Sequence, residues 1–146
     1  MSGFVKALAS FFYIGYLPLA PGTWGSLAGL ASAWWFYPVL APLTLILSVI
    51  GFCLCRPAED AFQTKDPARF VLDEVCGMML SVLWLPRSPR IFIAAFVLFR
   101  IVDTLKPCPI CLIQKSKSPL SIMWDDLAAA VLVNLFLQAG VRFLGI

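Results

Sequence analysis

The chain has 146 residues, of which 61% are hydrophobic and 13% charged, and its mean hydropathy is +0.91. That is about half the charged share of an ordinary soluble domain, and a single soluble domain of this length has no interior able to hide so much apolar surface. The formal net charge is +3 and histidine is absent, which excludes a Ser-His-Asp triad, histidine-ligated zinc and a histidine general base; chemistry is left to carboxylates, Arg/Lys, hydroxyls, thiols or a metal held by oxygen.

In chain order, Phe4–Leu19 reads as an interfacial helix ahead of Pro21. Apolar character continues past it without a secretory pattern, so this first segment is expected to be retained. Between Lys6 and Arg56 lie 49 residues without a formal charge. Pro38 and Pro42 cut this run into helices over Trp24–Tyr37 and Leu43–Cys55. Both are shorter than the ~20 residues of a full span, so tilted spans, re-entrant segments and a kinked pair all remain open. Arg56–Phe70 holds six of the 19 charges and reads as a polar loop or surface helix. Val71–Leu85 is apolar except for Asp73 and Glu74. Pro86–Arg90 is a turn. Ile91–Leu105 is apolar, interrupted by Arg100 and Asp103. Lys106–Ser121 is a polar loop, and Ile122–Leu144 is the last helix, with Asp125 and Asp126 near its start. A soluble helix needs a charged face, and these stretches lack one. The pattern predicts an all-α, polytopic integral membrane helical bundle of about four to five helices with short loops, one domain over residues 1–146.

Following the hairpins places all eight acidic residues on one side, together with eight of the 11 basic ones; Arg87, Arg90 and Arg142 are the exceptions. The Lys/Arg excess predicts that this side is cytoplasmic. Ionisable residues at the edge of apolar segments are candidates for function. Helix capping is the plainer explanation for acids at helix starts. It accounts for Asp125 and Asp126 tolerably, but poorly for Arg100, Asp103 and Lys106, a charged stripe at helical spacing in which Arg100 and Asp103 can pair.

Several carboxylates without histidine make a site for a hard cation. Mg²⁺ takes carboxylate oxygens, waters and substrate phosphates, and Arg100 and Lys106 would neutralise a phosphate, one as a fork and one as a point charge. Such a set suits phosphoryl transfer by positioning and electrostatics. Gly22 permits a tight turn before a helix whose first N–H groups can face an anion, with Thr23 as a cap or phosphate ligand. Gly25 and Gly29 form a Gly-x-x-x-Gly pair suited to close helix contact. Adjacent carboxylates point about 100° apart on a helix, so Asp73 and Glu74 are not expected to serve one ion together.

Four blocks stand in order: APGTWGSLAG over residues 20–29, LDEVCGM over 72–78, FRIVDTLKPCPI over 99–110 and IMWDDL over 122–127. Together they resemble the phosphatidylglycerophosphatase A family. The resemblance implies an all-α, Mg²⁺-dependent lipid phosphatase of the bacterial inner membrane. Such an enzyme acts on a phospholipid substrate, not on nucleic acid, and converts phosphatidylglycerophosphate to phosphatidylglycerol and inorganic phosphate. Carried over, the motif positions include Gly22, Thr23, Asp73, Glu74, Arg100, Asp103, Lys106, Asp125 and Asp126. They imply Asp73, Glu74, Asp125 and Asp126 around one or two Mg²⁺, and Arg100 and Lys106 on the phosphate with Gly22 and Thr23. Asp103 would orient Arg100 or an attacking water, a phospho-aspartate intermediate being the other route.

The five cysteines are Cys53, Cys55, Cys76, Cys108 and Cys111. Cys108 and Cys111 form a C-x-x-C, which offers an alternative from another class: a membrane thiol-disulfide oxidoreductase. It would need a second pair, for which Cys53 and Cys55 are available, and a compartment more oxidising than the cytoplasm. No cysteine has an arginine six positions on, so the cysteine-phosphatase loop is excluded. Tyr13, Tyr16, Trp34, Trp35, Tyr37 and Trp84 read as interfacial belts.

Overall fold

The structure, a computed structural model, describes residues 2–105 and 118–145. All regular structure among them is helical: α1 (Ser2–Ala9), α2 (Pro21–Trp35), α3 (Leu40–Phe62), α4 (Leu72–Ser81), α5 (Pro89–Leu105) and α6 (Ser121–Leu144), with single 3-10 turns at Ile14–Tyr16 and Tyr37–Val39. The expected all-α architecture is present, with six helices among the described residues where about four to five are expected.

The N-terminal segment is not one helix. Phe11, Phe12 and Tyr13 take left-handed φ values of 46°, 55° and 68°, so the chain breaks after α1 and turns, the Ser10 hydroxyl accepting from Tyr13 N at 3.1 Å. Val71 N donates to Ala9 O at 3.0 Å, and Gly15 lies against the Arg69 carbonyl, where a Cβ would collide. The turn is thereby tied to the residues that lead into α4.

Helix α2 starts with Pro21 at its first turn, where the missing N–H costs nothing. Its Gly25, Gly29 and Ala33 are buried on one stripe. A Cβ at Gly29 would stand 2.6 Å from Val75 O, and one at Gly25 2.8 Å from Val71 Cβ. The Gly-x-x-x-Gly pair therefore does what its spacing suggests, bringing α2 against α4.

Helix α3 corrects the short Leu43–Cys55 expectation. Pro42 sits in its first turn, where no intrahelical N–H bond is required, and the helix runs through Pro57 to Phe62. Arg56, Glu59 and Asp60 continue the helix beyond the apolar stretch instead of ending it. The segments Tyr37–Phe62 and Ser121–Phe143 are each long and apolar enough to cross a membrane.

Helix α4 has ten residues, eight of them buried. At 1.5 Å per residue it is about 15 Å long, half a hydrocarbon core, so it is an enclosed half-length helix rather than a span. It packs against α2, α3, α5 and α6. Beyond its C-terminus, Asn134 Nδ2 from α6 donates to Ser81 O at 3.1 Å and Leu83 O at 2.9 Å, Gln138 Nε2 donates to Leu83 O at 3.3 Å, and Tyr37 OH donates to Leu85 O at 2.5 Å. These side chains satisfy carbonyls that would otherwise be buried and unpaired. Val75, Met78, Met79, Phe92, Phe99, Ala129 and Val133 form the main core around this helix.

Candidate metal centre

The N-terminal end of α4 faces the start of α6 and the end of α5. Asp73 and Glu74 occupy the first turn of α4, Asp125 and Asp126 lie in the second turn of α6, and Asp103 is two residues from the end of α5. All five line one cavity of about 200 Å³, together with Asp66, Pro67, Ala68, Phe70 and Ile122. Six of the eight acids in the chain thus face one space. Glycine makes the approach possible: a Cβ at Gly77 would stand 2.7 Å from Phe99 Cζ and 3.3 Å from Asp126 O.

Within each pair the first acid turns back on its own helix. Asp73 Oδ1 accepts from Glu74 N at 2.9 Å and Asp125 Oδ1 accepts from Asp126 N at 3.1 Å; the first serves an N–H of the opening turn of α4, whereas the second lies in the second turn of α6, beyond the N–H groups that need a cap. Helix-end hydrogen bonding is therefore not all that these acids do. One ligand oxygen each from Asp73, Glu74 and Asp126 lie within 4.8 Å of one another. This corrects the expectation that Asp73 and Glu74 diverge: the Cβ directions differ by about 100°, but the longer glutamate arm swings its carboxylate back beside the aspartate.

Burial first, then the adjoining Glu74 charge and hydrogen bond, then Asp126, push the Asp73 carboxyl well above its usual range. Burial also raises Glu74, against the lowering effect of its hydrogen bond with Asp73 and of Arg100. Glu74 Oε2 is buried with no hydrogen-bond partner, an expensive arrangement unless a cation completes it. The donors are all carboxylate oxygens, the set preferred by hard divalent cations. The cluster fits a metal ion.

Arg100 stands beside the cavity. Its Nη1 donates to Asp103 Oδ2 at 2.9 Å and lies 3.5 Å from Ser26 Oγ, which itself donates to Gly22 O at 2.9 Å. The expected Arg100–Asp103 pair is formed, one helical turn apart. Gly22 fits between the two: a Cβ there would collide with Glu74 Oε1 and stand 3.4 Å from Arg100 Nη1. Thr23 is half-buried one residue on and does not line the cavity. The expected row of open N–H groups is shorter than the sequence suggests, because Thr23 N and Trp24 N both donate to Ala20 O, at 3.0 and 3.2 Å. Lys106, Cys108 and Cys111 lie outside the described residues.

Two contributors were missed. Asp66 falls in the polar stretch Arg56–Phe70, although Asp66-Pro67 is a turn dipeptide a few residues ahead of Asp73; its φ of 47° belongs to a tight turn that brings it to the cavity. Ser26, inside the block over residues 20–29, carries no signal of its own in the sequence, and its contact with Arg100 is visible only in the fold. Of the cysteines, Cys55 and Cys76 are buried and Cys53 is exposed, all three as free thiols. Cys53 and Cys55, two positions apart, face opposite sides of α3. Burial pushes the Cys76 thiol up to about 12. None of this favours thiol exchange, which needs a thiolate.

Fold and site together define a class: an apolar helical protein that gathers, at one end of its long helices, a carboxylate cluster able to hold a metal ion. The sequence pattern of the phosphatidylglycerophosphatase A family matches residues 7–141, and the chain belongs to that family. Phosphatidylglycerophosphatase A of Escherichia coli (strain K12) is 35% identical over 133 residues, covering 86% of this chain and 76% of its own. The protein of the same name from Haemophilus influenzae is 34% identical over 134 residues, covering 87% and 82%. A Bacteroides thetaiotaomicron relative with the provisional name phosphatidylinositol-3-phosphatase is 34% identical over 134 residues, covering 82% of both chains. No solved structure matches the chain.

Proposed function

We propose that this chain is a phosphatidylglycerophosphatase, a phosphoric monoester hydrolase that releases the terminal phosphate of phosphatidylglycerophosphate and leaves phosphatidylglycerol. The observation that carries the reading is the cavity that collects six carboxylates beside Arg100. So acidic a space repels a phosphate monoester unless a cation is bound, and the membership of the phosphatidylglycerophosphatase A family supplies the substrate class.

Mg²⁺ is the proposed cation, held by Asp73, Glu74 and Asp126, with Asp125 beside them. Bound there, it would neutralise phosphate charge and supply the Lewis acidity of phosphoryl transfer. Asp103 and Ser26 hold Arg100 through one nitrogen, leaving the rest of its guanidinium fork to grip two phosphate oxygens, and Lys106 adds a point charge. Gly22 keeps the wall of the site thin where Glu74 and the phosphate must meet. Asp103, which lines the cavity, would orient a water against phosphorus.

Membrane insertion is supported by the two segments of membrane length. The multi-pass reading adds to these two segments the antiparallel order of α4, α5 and α6, which brings Asp73, Glu74, Asp103, Asp125 and Asp126 to one end. The excess of Lys/Arg at that end supports a cytoplasmic site in the bacterial inner membrane. The test is the purified full chain in detergent micelles, assayed for phosphate release from phosphatidylglycerophosphate and from phosphatidylinositol 3-phosphate, with Mg²⁺ and with a chelator. Release from the first lipid, abolished by chelation and restored by Mg²⁺, is expected. Preference for the inositol lipid would move the substrate assignment, and chelator-resistant hydrolysis would remove the metal.

A further inference from the structure

Two apolar recesses lie along the seam between α5 and α6, of about 470 Å³ and 230 Å³. Leu98 and Phe136 wall both, so the two recesses adjoin end to end as a groove along the seam. Its far end is at Ile91 and Phe143, and its near end at Val102. Val102 is next to Asp103, which lines the acidic cavity. Among the described residues, no charged or hydrogen-bonding side chain lines the groove.

From Ile91 to Val102 the groove is about 17 Å long at 1.5 Å per helical residue. One leaflet of a bilayer is about 15 Å of hydrocarbon. The groove therefore starts beside the carboxylates and reaches about as deep as one lipid tail. The geometry points to this groove as the subsite for an acyl chain of the phospholipid whose phosphate monoester occupies the acidic cavity. This rests on the lipid phosphatase reading above and extends it to the tail. A tail leaving bulk lipid for an apolar groove gains little net affinity, since both surroundings are hydrocarbon. What the groove supplies is orientation: a seated tail fixes the glycerol end and holds the phosphate against the cavity, an effect realised in turnover rather than binding.

The experiment uses the full chain in micelles, with Ala94→Phe and Leu98→Trp to fill the groove and Ile93→Phe as the control. Ala94 is half-buried in the groove wall, whereas Ile93 is 63% exposed at the same depth and does not line the groove. The readouts are kcat and KM on a long-chain and a six-carbon-chain phosphatidylglycerophosphate. Filling the groove should lower kcat on the long-chain lipid by about tenfold with KM little changed, leave the short-chain lipid untouched, and so erase the preference for long chains; Ile93→Phe should alter neither. Equal losses on both lipids, or none, overturn the proposal.

A second measurement does not need turnover. Phosphatidic acid carrying a photoreactive acyl chain should label α5 and α6 along the seam, resisting excess phosphatidylcholine and yielding to unlabelled phosphatidic acid. Competition by phosphatidylcholine would mean bulk lipid in the groove, and a crosslink between two chains would mean a second copy; either overturns the proposal. An inactive wild-type chain that still shows headgroup-dependent labelling would remove the assigned reaction and keep the subsite.

Discussion

At Glu74 the backbone, the neighbouring carboxylate and an absent side chain all bear on one group. Its Oε1 faces Gly22 and its Oε2 is buried without a hydrogen-bond partner, while one ligand oxygen each of Asp73, Glu74 and Asp126 lie within 4.8 Å of one another, close enough to share a cation. Glu74→Gln keeps the volume and removes the charge. Phosphate release should fall by at least about 100-fold, the scale of losing one charge-stabilising group in a closed site. The metal-free protein should melt no lower than wild type, since an uncompensated buried charge has gone. Full activity in this variant would remove Glu74 from the site. Gly22→Ala tests the wall: its Cβ would push the Glu74 carboxylate away, so metal affinity, read by titration calorimetry, should weaken while the helical content seen by circular dichroism stays the same. The acids themselves were legible in the sequence, because a carboxylate beside an apolar run is costly enough to be noticed. Asp66 was not, because an acid in a polar turn is ordinary, and only the path of the chain after α3 brings it to the cavity. The convergence of Asp73 and Glu74 was hidden for another reason: helix geometry predicts where Cβ points, not where a longer side chain ends.

Helices meet in this fold where side chains are missing. At Gly29 the neighbour is backbone, Val75 O, which cannot move without bending α4. At Gly51 the neighbour is the end of the Met123 side chain, 2.7 Å from an added Cβ, and methionine adapts. Gly29→Ala should therefore cost about 1–3 kcal/mol, seen as a lower midpoint in thermal melts in detergent, and Gly51→Ala distinctly less. Equal costs would show that the α2–α4 crossing has slack. The existence of most helices was visible in the run of apolar residues, and the α5 and α6 boundaries fell within two residues of those expected. The differences lie where charge begins after an apolar run and at a cluster of aromatics. The charges from Arg56 onward mark the end of the apolar stretch but not of the helix, because Arg56, Glu59 and Asp60 reach water by continuing it through Pro57. Phe11, Phe12 and Tyr13 were read as helical because nothing in their chemistry announces a left-handed turn; their conformation is set by the contact of the turn with Arg69 and Val71, which is tertiary.

Across the whole molecule the buried carboxylates link stability, pH and metal. Asp73 and Glu74 hold their protons more tightly folded than unfolded, both carboxyls being raised, chiefly by burial. Where the native state binds more protons, stability falls as pH rises. In the metal-free protein the loss should begin near the ordinary carboxylate value of about 4 and be complete once pH passes the raised titrations. A divalent cation reverses the slope, because it binds the deprotonated cluster and only in the folded chain. Melting in detergent at about pH 5 and about pH 8 should show the chelated protein less stable at the higher pH. Mg²⁺ should raise the midpoint more there than at the lower pH, with protons released on binding. Glu74→Gln should shrink both effects. A metal-free midpoint that rises with pH between these values would mean that the carboxylates are stabilised as anions by the protein itself, and the cluster would then need no cation to hold it together.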